Sequence, residues 1–367
     1  MGRLTIVADD LTGACDTGAL FAGRGPVPVT VWPQAAGDGA VRVVDTETRA
    51  LAASEAAARV ARAAAGDGLH FKKVDSTLRG AVGAEIDALM TAIGARTALL
   101  CPAFPAQGRV VIDRVLRVDG VPVADTAVAR DPQFPRAATS SVVELMRPQS
   151  ARPIAWVPLE QVRAGVEPLA ARLARLDGML VVADAETDED LDALAGAALH
   201  AADPPLLAGA AGLARALAAR LGLLAPAVEL PAARRWLFVA GSRHPATRRQ
   251  VALARQAGLA VLATPDHVAG DDDAGERDEA ARRLAAQARE ALASARFDGV
   301  VVTGGETAVA LYRALDGVRI DLVGAPAAGL ALGSLVSPER GPITIVTKAG
   351  GFGAPDLFVS LVKEAVA

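Results

Sequence analysis

Short apolar runs recur along the chain, and stretches with helical spacing follow most of them. The runs lie at 4–8, 41–44, 69–74, 97–101, 180–183, 206–208, 236–240, 259–263, 300–302 and 343–346. Ile86, Leu89, Met90 and Ile93 illustrate the helical spacing, since they stand at i, i+3, i+4 and i+7. Because strands alternate with helices, the pattern predicts an α/β fold built on mostly parallel sheets that helices flank.

A stretch with two prolines, residues 223–233, separates this pattern into two series and predicts a linker. We therefore expect two α/β domains, residues 1–225 and 233–367, each a mostly parallel sheet flanked by helices. The acidic, glycine-containing segment 270–278 predicts a loop. In such sheets ligands bind beyond the carboxyl ends of the strands, so polar clusters at strand ends are candidate binding sites.

Composition narrows the range of functions. The 367 residues are 52% hydrophobic and 22% charged, with a net charge of −4 and only 3% aromatic residues. Neither a basic surface nor base-stacking aromatics are indicated, so we expect no nucleic acid and no membrane as partner. The N-terminus has no leader pattern, and no apolar run reaches the roughly 20 residues of a membrane span. We expect a cytoplasmic protein, with its two cysteines reduced.

The first polar cluster follows the first strand, in IVADDLTGACDTG, and contains Asp9, Asp10 and Asp16. Asp10 or Thr12 is suited to cap the helix that begins here, which would be a purely structural role. A cap explains only one of the three acids, and burying carboxylates without partners is costly. The cluster therefore favours a function for at least one of them.

The second cluster is FKKVDSTLRG, residues 71–80. Alternation along the strand places Lys73 and Asp75 on one face, and Ser76 and Arg79 follow, before Gly80 and Gly83 at the start of a helix. Only four of the 38 lysines and arginines are Lys, which makes Lys73 and Lys348 worth examining. Cations, hydroxyls and free helical N–H groups suit an anion such as a carboxylate, although a surface Lys–Asp pair with a capping serine is the plainer reading. Arg109 ends a rigid loop, CPAFPAQGR, and could bind a carboxylate with both nitrogens.

The second half of the chain carries three glycine-containing turns after strands. They are VAGSRH (239–244), VTGGET (302–307) and VTKAGGFG (346–353), with Gly329 in a loop between the last two. Paired glycines before a helix let backbone N–H groups approach a phosphate. Each turn alone could be an ordinary strand-to-helix connection, but three in one domain predict a nucleotide phosphate site.

Several well-known motifs are absent from the sequence. It has no G-x-x-x-x-G-K-[ST] loop, and no G-x-G-x-x-G follows the first strand, which argues against an NAD(P)-binding Rossmann unit. It has no H-E-x-x-H, no G-x-S-x-G and no Cys/His cluster, so no metal ligands are assigned.

Taken together, ADDLTGACDTG, KKVDSTLRGAVGAEIDAL, PAFPAQGR, GAAGLARAL, GGETA and TKAGGFG resemble the four-carbon acid sugar kinase family, in the family's order. The resemblance implies a first domain that binds a sugar acid, a second that binds ATP, and an active site in the interdomain cleft. It further implies ATP- and Mg²⁺-dependent phosphorylation of the terminal hydroxyl of threonate, erythronate or 3-oxo-tetronate.

Site residues carried over by motif fall into two sets. The resemblance assigns the sugar acid to Asp9, Asp10, Asp16, Lys73, Asp75, Ser76, Arg79 and Arg109. It assigns ATP to Ser242, Gly304, Gly305, Thr347, Lys348, Ala349, Gly350 and Gly351. His244, Glu306, Thr307 and Gly329 belong to the same glycine-rich stretches and complete the predicted nucleotide site.

We expect Asp10, with Asp9 as second choice, to deprotonate the attacking hydroxyl, and Lys348 with Mg²⁺ to neutralise the transferred phosphoryl group. The chain departs from the family pattern at His244, where a serine is usual, and its second domain is shorter than in typical members. Two alternatives stay open: an NAD(P)-dependent dehydrogenase of a small hydroxy acid, and a non-catalytic protein that binds a nucleotide or sugar acid. A homodimer is a further expectation.

Overall fold

The computed structural model describes residues 2–64, 66–135, 139–231, 235–265 and 274–364. The chain forms two compact units. The first comprises Met1–Asp9 and Asp38–Leu224, and the second comprises Asp10–Gly37 and Ala225–Ala367. Both units therefore contain two separate stretches of sequence.

The strands are β1 (Leu4–Ala8), β2 (Val27–Val31), β3 (Val41–Asp45), β4 (Leu69–Lys73), β5 (Ala98–Cys101), β6 (Arg109–Ile112), β7 (Val115–Val118), β8 (Val121–Pro122), β9 (Ile154–Val157), β10 (Leu180–Ala183), β11 (Leu206–Gly209), β12 (Trp236–Ala240), β13 (Ala260–Ala263), β14 (Gly299–Thr303), β15 (Arg319–Gly324), β16 (Leu330–Ser337) and β17 (Gly341–Lys348). The helices are α1 (Leu11–Ala19), α2 (Ala53–Ala63), α3 (Val82–Ile93), α4 (Val142–Met146), α5 (Leu159–Val162), α6 (Val166–Ala174), α7 (Asp188–His200), α8 (Ala211–Arg220), α9 (Pro245–Gln256), α10 (Ala274–Ser294), α11 (Gly305–Ala314) and α12 (Leu357–Glu364). None of the helices in the described ranges is both long and apolar enough to cross a bilayer.

The sheet of the first unit is parallel at every pairing, in the order β3-β1-β4-β11-β5-β10-β9. Its central strands are apolar and buried on both faces, as expected for a parallel sheet covered by helices. All strands point the same way, so the residues that follow β1, β3 and β4 meet at one edge. A small antiparallel sheet, β6-β7-β8, begins at Arg109.

The sheet of the second unit has a parallel half and an antiparallel half. Strands β13, β12, β14 and β17 are parallel neighbours, and β17, β16, β15 and β2 continue in antiparallel order. Its core contains Trp236, Phe238, Val301, Val346 and Phe358. The carboxyl ends of β12, β14 and β17, which carry the glycine turns, therefore lie side by side.

Helix α1 is an N-terminal element that folds with the second unit. All nine of its residues are buried, and it packs against α11 and against β2, β15, β16 and β17. Asp10 caps it, since the Asp10 Oδ1 atom accepts the Gly13 N–H at 3.0 Å. The structural role considered for Asp10 is thus present.

The structure confirms the predicted α/β class, and all the predicted strands are present. The sequence pattern missed β2, β9, β15 and β16, as well as the small antiparallel sheet. The predicted loop 270–278 is wrong over residues 274–278, which open α10 with acidic side chains that suit a helix N-terminus, while 270–273 lie outside the described residues. The stretch 223–231 of the predicted linker forms neither helix nor strand. Residues 10–37, which the sequence division placed in the first domain, pack with the second unit.

Candidate active site

Charged side chains gather at the carboxyl edge of the first unit's sheet. Asp9 follows β1 and is almost fully buried, and Arg49 comes from the turn after β3. The Arg49 guanidinium binds the Asp9 carboxylate with two hydrogen bonds, Nε to Oδ2 at 2.8 Å and Nη2 to Oδ1 at 2.9 Å. Burial alone would raise the pKa of Asp9, but Arg49 together with the charges of Lys72 and Lys73 outweighs burial, and the pKa lies below its ordinary value. Asp9 is therefore an ionised carboxylate and a weak base.

Asp75 and Arg79 form a second two-bond pair on the turn after β4. Arg79 donates from Nε to Asp75 Oδ2 at 2.9 Å and from Nη2 to Oδ1 at 2.8 Å, and the Thr77 hydroxyl also donates to Oδ2. Against the effect of burial, Arg79 and Arg49 hold the pKa of Asp75 well below its usual range. Leu78 takes a left-handed conformation with φ of 62° to complete this turn, an unusual backbone that the surrounding contacts have to maintain.

The two adjacent lysines of β4 point to opposite faces of the sheet, as predicted. Lys72 is fully buried and its Nζ lies 2.7 Å from Glu85 Oε2, so it is a structural ion pair. Lys73 is 5% exposed, and its Nζ donates to the Val74 carbonyl at 2.8 Å. Within the described part of the chain no carboxylate pairs with Lys73, which leaves its charge for an anionic ligand.

Ser76 and Arg109 lie beside this cluster. The half-buried Ser76 hydroxyl makes no hydrogen bond to any described residue. Burial lowers the pKa of Arg109. The carboxylates of Asp119 and Asp75 raise this pKa, and the charge of Arg79 lowers it further. The Arg109 guanidinium therefore feels the charges of Asp75 and Arg79. The cluster thus contains two fixed carboxylates and four cations, namely Asp9 and Asp75 with Arg49, Lys73, Arg79 and Arg109. Such a set suits a small anion that also carries hydroxyl groups.

In the second unit the three glycine turns come together. Ser242 N and Gly241 N both donate to the Thr303 carbonyl, at 3.2 and 3.0 Å, which ties the turn after β12 to the end of β14. A methyl group on Gly304, whose φ is 102°, would lie 3.0 Å from Ser242 N, and one on Gly350 would collide with Ser242 Oγ. The backbones approach so closely that side chains are excluded, as a phosphate-binding surface built from N–H groups requires.

Helix α11 begins at Gly305, directly after this junction. Its first intrahelical bond is Ala308 N to Gly304 O, so the N–H groups of Gly305 and Thr307 precede the helical ladder. The Asp10 carboxylate lies at the same point, since a methyl group on Gly305 would be 2.7 Å from Asp10 Oδ2. Asp10 is half-buried, and the Thr12 hydroxyl also donates to its Oδ2 at 2.6 Å.

The other residues predicted for the nucleotide site occupy varied positions. Thr307 is buried against Gly241, Glu306 is exposed, and Gly329 accepts the Ala349 N–H at 3.0 Å while packing against Phe352. His244 caps α9, because its Nδ1 atom accepts the Ala246 N–H at 3.2 Å. Its Nε2 atom would lie 3.4 Å from a methyl group on Gly351.

Lys348 is fully buried at the end of β17 beside the buried Thr347. Its Nζ donates to the carbonyls of Ala349 at 2.9 Å and Gly350 at 3.2 Å, and to Thr247 Oγ1 at 3.4 Å. Burial lowers the pKa of Lys348 to about 7. The ammonium group thus faces loop carbonyls, whereas the sequence pattern suggested that it faces a phosphate.

Asp16 is buried on α1 and belongs to the second unit, whereas the basic cluster belongs to the first unit.

Arg49 is a site residue that the sequence analysis missed. A signal for it existed, because the polar stretch DTETR follows the apolar run of β3 in the same way as the other clusters follow theirs. Among the described residues no three His, Cys, Asp or Glu side chains are grouped closely enough to hold a metal ion by themselves.

Comparison with known proteins finds two family models that match successive parts of the chain. Residues 4–217 match the model of a sugar-binding N-terminal domain, and residues 270–358 match that of a nucleotide-binding C-terminal domain. The chain is 32% identical to D-threonate kinase of Salmonella typhimurium, with 96% of each chain covered. It is 31% identical to 3-oxo-tetronate kinase of Pseudomonas fluorescens, with 97% of this chain and 95% of the relative covered.

A solved structure from Bordetella bronchiseptica, a domain-swapped dimer with bound citrate, is 32% identical, with a TM-score of 0.52 over 100% of this chain and 98% of that one. Since the sugar-binding model spans more than half of the chain and the relatives cover nearly all of it, this protein belongs to the four-carbon acid sugar kinase family. The curated relatives are kinases of sugar acids, which makes this chain an enzyme of that class.

Proposed function

We propose that this protein transfers the γ-phosphoryl group of ATP to the terminal hydroxyl of a four-carbon sugar acid, namely threonate, erythronate or 3-oxo-tetronate. The observation that carries the proposal is the meeting of three glycine turns at the ends of β12, β14 and β17. The turns after β14 and β17 lie in residues 270–358, which match the model of a nucleotide-binding domain. The names of the relatives supply the substrate class. Because ATP is supplied inside the cell, we place the activity in the cytoplasm.

The basic cluster of the first unit is proposed to bind the sugar acid. Lys73 and Arg109 are assigned to its carboxylate, because Lys73 is nearly buried with no carboxylate partner among the described residues. Arg49 and Arg79 already bind Asp9 and Asp75 with two bonds each, so these pairs form a rigid wall with both donors and acceptors for sugar hydroxyls. Ser76 supplies a further hydroxyl. The Bordetella relative was solved with bound citrate, which is likewise a small carboxylate.

The glycine turns of the second unit are proposed to bind the ATP phosphates. Phosphoryl transfer depends on positioning and on charge neutralisation, which the first N–H groups of α11 and the backbone around Gly350 can supply. Mg²⁺ takes most of its ligands from phosphates and water in such sites, which is compatible with described residues that offer no group of three His, Cys, Asp or Glu side chains. When bound, the ion would neutralise charge on the phosphates.

Asp10 is proposed as the base that accepts the proton of the attacking hydroxyl. Asp9 is disfavoured in this role, since Arg49 occupies both of its oxygens and lowers its pKa. Asp10 instead stands at the start of α11 beside Gly305, where the phosphate turns meet. Thr12 and Gly13 fix its orientation.

A coupled ADP-release assay tests the proposed function. The purified protein would be offered ATP and Mg²⁺ with D- and L-threonate, D-erythronate and their 3-oxo forms, together with a six-carbon sugar acid as control. We expect release of ADP that depends on a four-carbon acid, and mass spectrometry should find one added phosphate on the terminal oxygen. Absence of turnover with the whole panel, or equal turnover with the six-carbon acid, would overturn the proposal.

We also propose that the protein is a homodimer, as the Bordetella relative is. Light scattering coupled to size exclusion should then give twice the chain mass of 37.3 kDa. A mass equal to one chain across the micromolar range would contradict this.

A further inference from the structure

The loop that follows β17, residues 349–354, turns most of its carbonyl oxygens into the protein. Ala349 O and Gly350 O accept from Lys348 Nζ, and Gly350 O also accepts from Thr247 Oγ1 at 2.7 Å. The Gln250 side-chain amide lies under the last three residues of the loop: its Nε2 is 3.1 Å from Phe352 O, 3.1 Å from Gly353 O and 3.0 Å from Ala354 O.

The three donors beneath the loop are among the most buried polar side chains of the protein. Thr247, Gln250 and Lys348 are each 0% exposed. Thr247 and Gln250 stand three residues apart on α9 and so lie on one face of that helix. A buried donor without an acceptor is costly, so the donors and the loop carbonyls hold each other in place.

The inward carbonyls determine where the loop N–H groups point. A peptide unit is planar and normally trans, so its C=O and N–H lie on opposite sides. The Ala349 carbonyl shares its peptide unit with the Gly350 N–H, and the Gly350 carbonyl shares one with the Gly351 N–H. Both carbonyls point to the buried donors, so both N–H groups face away from them. Neither N–H donates to another residue in the described part of the structure.

We infer that Thr247, Gln250 and Lys348 are positioning residues, which aim the N–H groups of Gly350 and Gly351 at a phosphate of the nucleotide. This inference rests on the proposed function and deepens it. Lys348 acts through the loop, because its ammonium hydrogens face the carbonyls of Ala349 and Gly350 and the hydroxyl of Thr247. Backbone amides thus recognise the phosphate, and the buried side chains of Thr247, Gln250 and Lys348 determine how these amides are oriented.

The test uses three variants: two at Thr247 that differ in whether the hydroxyl is kept, and one at Gln250 that replaces the donating group. Thr247→Val removes the hydroxyl with little change of shape, whereas Thr247→Ser keeps it. Gln250→Glu replaces the donating NH₂ by an oxygen in the same place. We expect Thr247→Val and Gln250→Glu to raise the KM for ATP and the Kd for a fluorescent ATP analogue about tenfold or more, with the KM for the sugar acid within twofold of wild type. Thr247→Ser should remain close to wild type, as should Arg249→Ala on the exposed side of α9.

Hydrogen exchange of the free protein gives a readout that needs no activity. In Gln250→Glu the amides of Ala349 and Phe352, which donate to Gly329 O at 3.0 Å and Ala349 O at 3.2 Å, should exchange faster, while those of β14 and β17 keep their protection. Wild-type ATP affinity in both Thr247→Val and Gln250→Glu, or faster exchange spread over the whole second unit, would overturn the inference. A wild-type protein that binds no ATP would instead refute the proposed function, and the local exchange result would still decide whether these side chains orient the loop.

Discussion

At the scale of single residues, the neighbours Asp9 and Asp10 have different surroundings and different proposed tasks. Asp9 is locked to Arg49, in the first unit, with a lowered pKa. Asp10 caps α1 in the second unit, beside the start of α11. The two residues are adjacent in the same motif, so only their tertiary contacts distinguish them. These contacts make Asp9 the ionised partner of Arg49 and Asp10 the candidate base.

Asp10→Asn is the sharpest test of that difference. Asparagine caps helices as well as aspartate does, so α1 should stay capped and the melting temperature should change little. The amide cannot accept the hydroxyl proton, and we expect kcat to fall by at least about 100-fold. ADP release measured with saturating substrates would check this. Near-normal turnover in a folded variant would show that the base lies elsewhere.

Lys348 provides a pH test of stability. Burial lowers its pKa to about 7 in the folded chain, whereas the unfolded lysine titrates near 10.5. Between these values the unfolded state binds more protons, so the free energy of unfolding rises with pH across this window. The cost of burying the charge is fully felt below about pH 7 and is relieved above it.

Wild type should therefore gain stability relative to Lys348→Met as the pH is raised from 6.5 to 9, by at most about 1.4 kcal/mol per pH unit. Urea unfolding of both proteins at several pH values measures the difference in the free energy of unfolding. Because both proteins share every other titrating group, the contributions of those groups cancel in this difference. A difference that stays constant with pH would mean that Lys348 remains charged throughout.

Residues could be identified from sequence when their partners are local. Asp75 and Arg79 are four apart in one motif, and the structure joins them. Arg49 was missed because its partner Asp9 lies 40 positions away and reaches it only through the pairing of β1 with β3. Lys348 was noticed, but the buried acceptors that its ammonium faces, among them Thr247 on a separate helix, cannot be read from a strand-end motif.

At the scale of elements, one buried carboxylate holds the hairpin that begins with Arg109. Asp184, 0% exposed at the end of β10, accepts from Asp113 N at 2.9 Å, Arg114 N at 3.0 Å and Trp156 Nε1 at 3.0 Å. Asp113 and Arg114 form the tip between β6 and β7 in left-handed conformations, with φ of 51° and 69°. Without Asp184, the two N–H groups of this left-handed turn and the half-buried Trp156 side chain would lose their shared acceptor.

We expect Asp184→Ala to lower the free energy of unfolding by about 1–3 kcal/mol, since it removes three hydrogen bonds to one carboxylate and the acceptor that holds a left-handed turn. Asp177→Ala is the matched control, because that carboxylate belongs to an exposed pair with Arg96 and should cost less than about 1 kcal/mol. Urea denaturation followed by tryptophan fluorescence and by circular dichroism would measure both. Equal losses in the two variants would contradict the role given to Asp184.

Elements with clear periodicity were predictable, and those that tertiary context decides were not. Strand β2 reads VPVTV, and a proline inside a short run argues against a strand, yet Pro28 pairs with Asp321 in the antiparallel part of the sheet. Strand β15 alternates exposed and buried residues, and β16 carries an internal glycine, so neither forms a continuous apolar run. These strands make up the antiparallel half of the second unit, which the sequence did not reveal.

At the scale of the whole molecule, the second unit is built from two separate stretches. Its N-terminal stretch supplies α1, with all nine residues buried, and β2, which pairs with β15. Ala225 N donates to Leu20 O at 2.9 Å, so the two stretches meet where the second one begins. A fragment of residues 225–367 alone would expose the surface that α1 covers.

Two fragments test this. Residues 225–367 alone should fail to unfold cooperatively, because the apolar face under α1 is exposed. Residues 10–37 joined to 225–367 by a flexible Gly/Ser linker should show a cooperative thermal transition by circular dichroism. If the shorter fragment also melted cooperatively at a similar temperature, α1 and β2 would not be needed to form this unit.

This shared construction has a consequence for recombination of the gene. The chain passes from one unit to the other after Asp9, after Gly37 and after Leu224. A single crossover between two homologous genes therefore cannot exchange the nucleotide-binding half intact. Such an exchange requires a second insert near the start of the gene, and a chimera made without it would pair α1 and β2 of one parent with strands of the other.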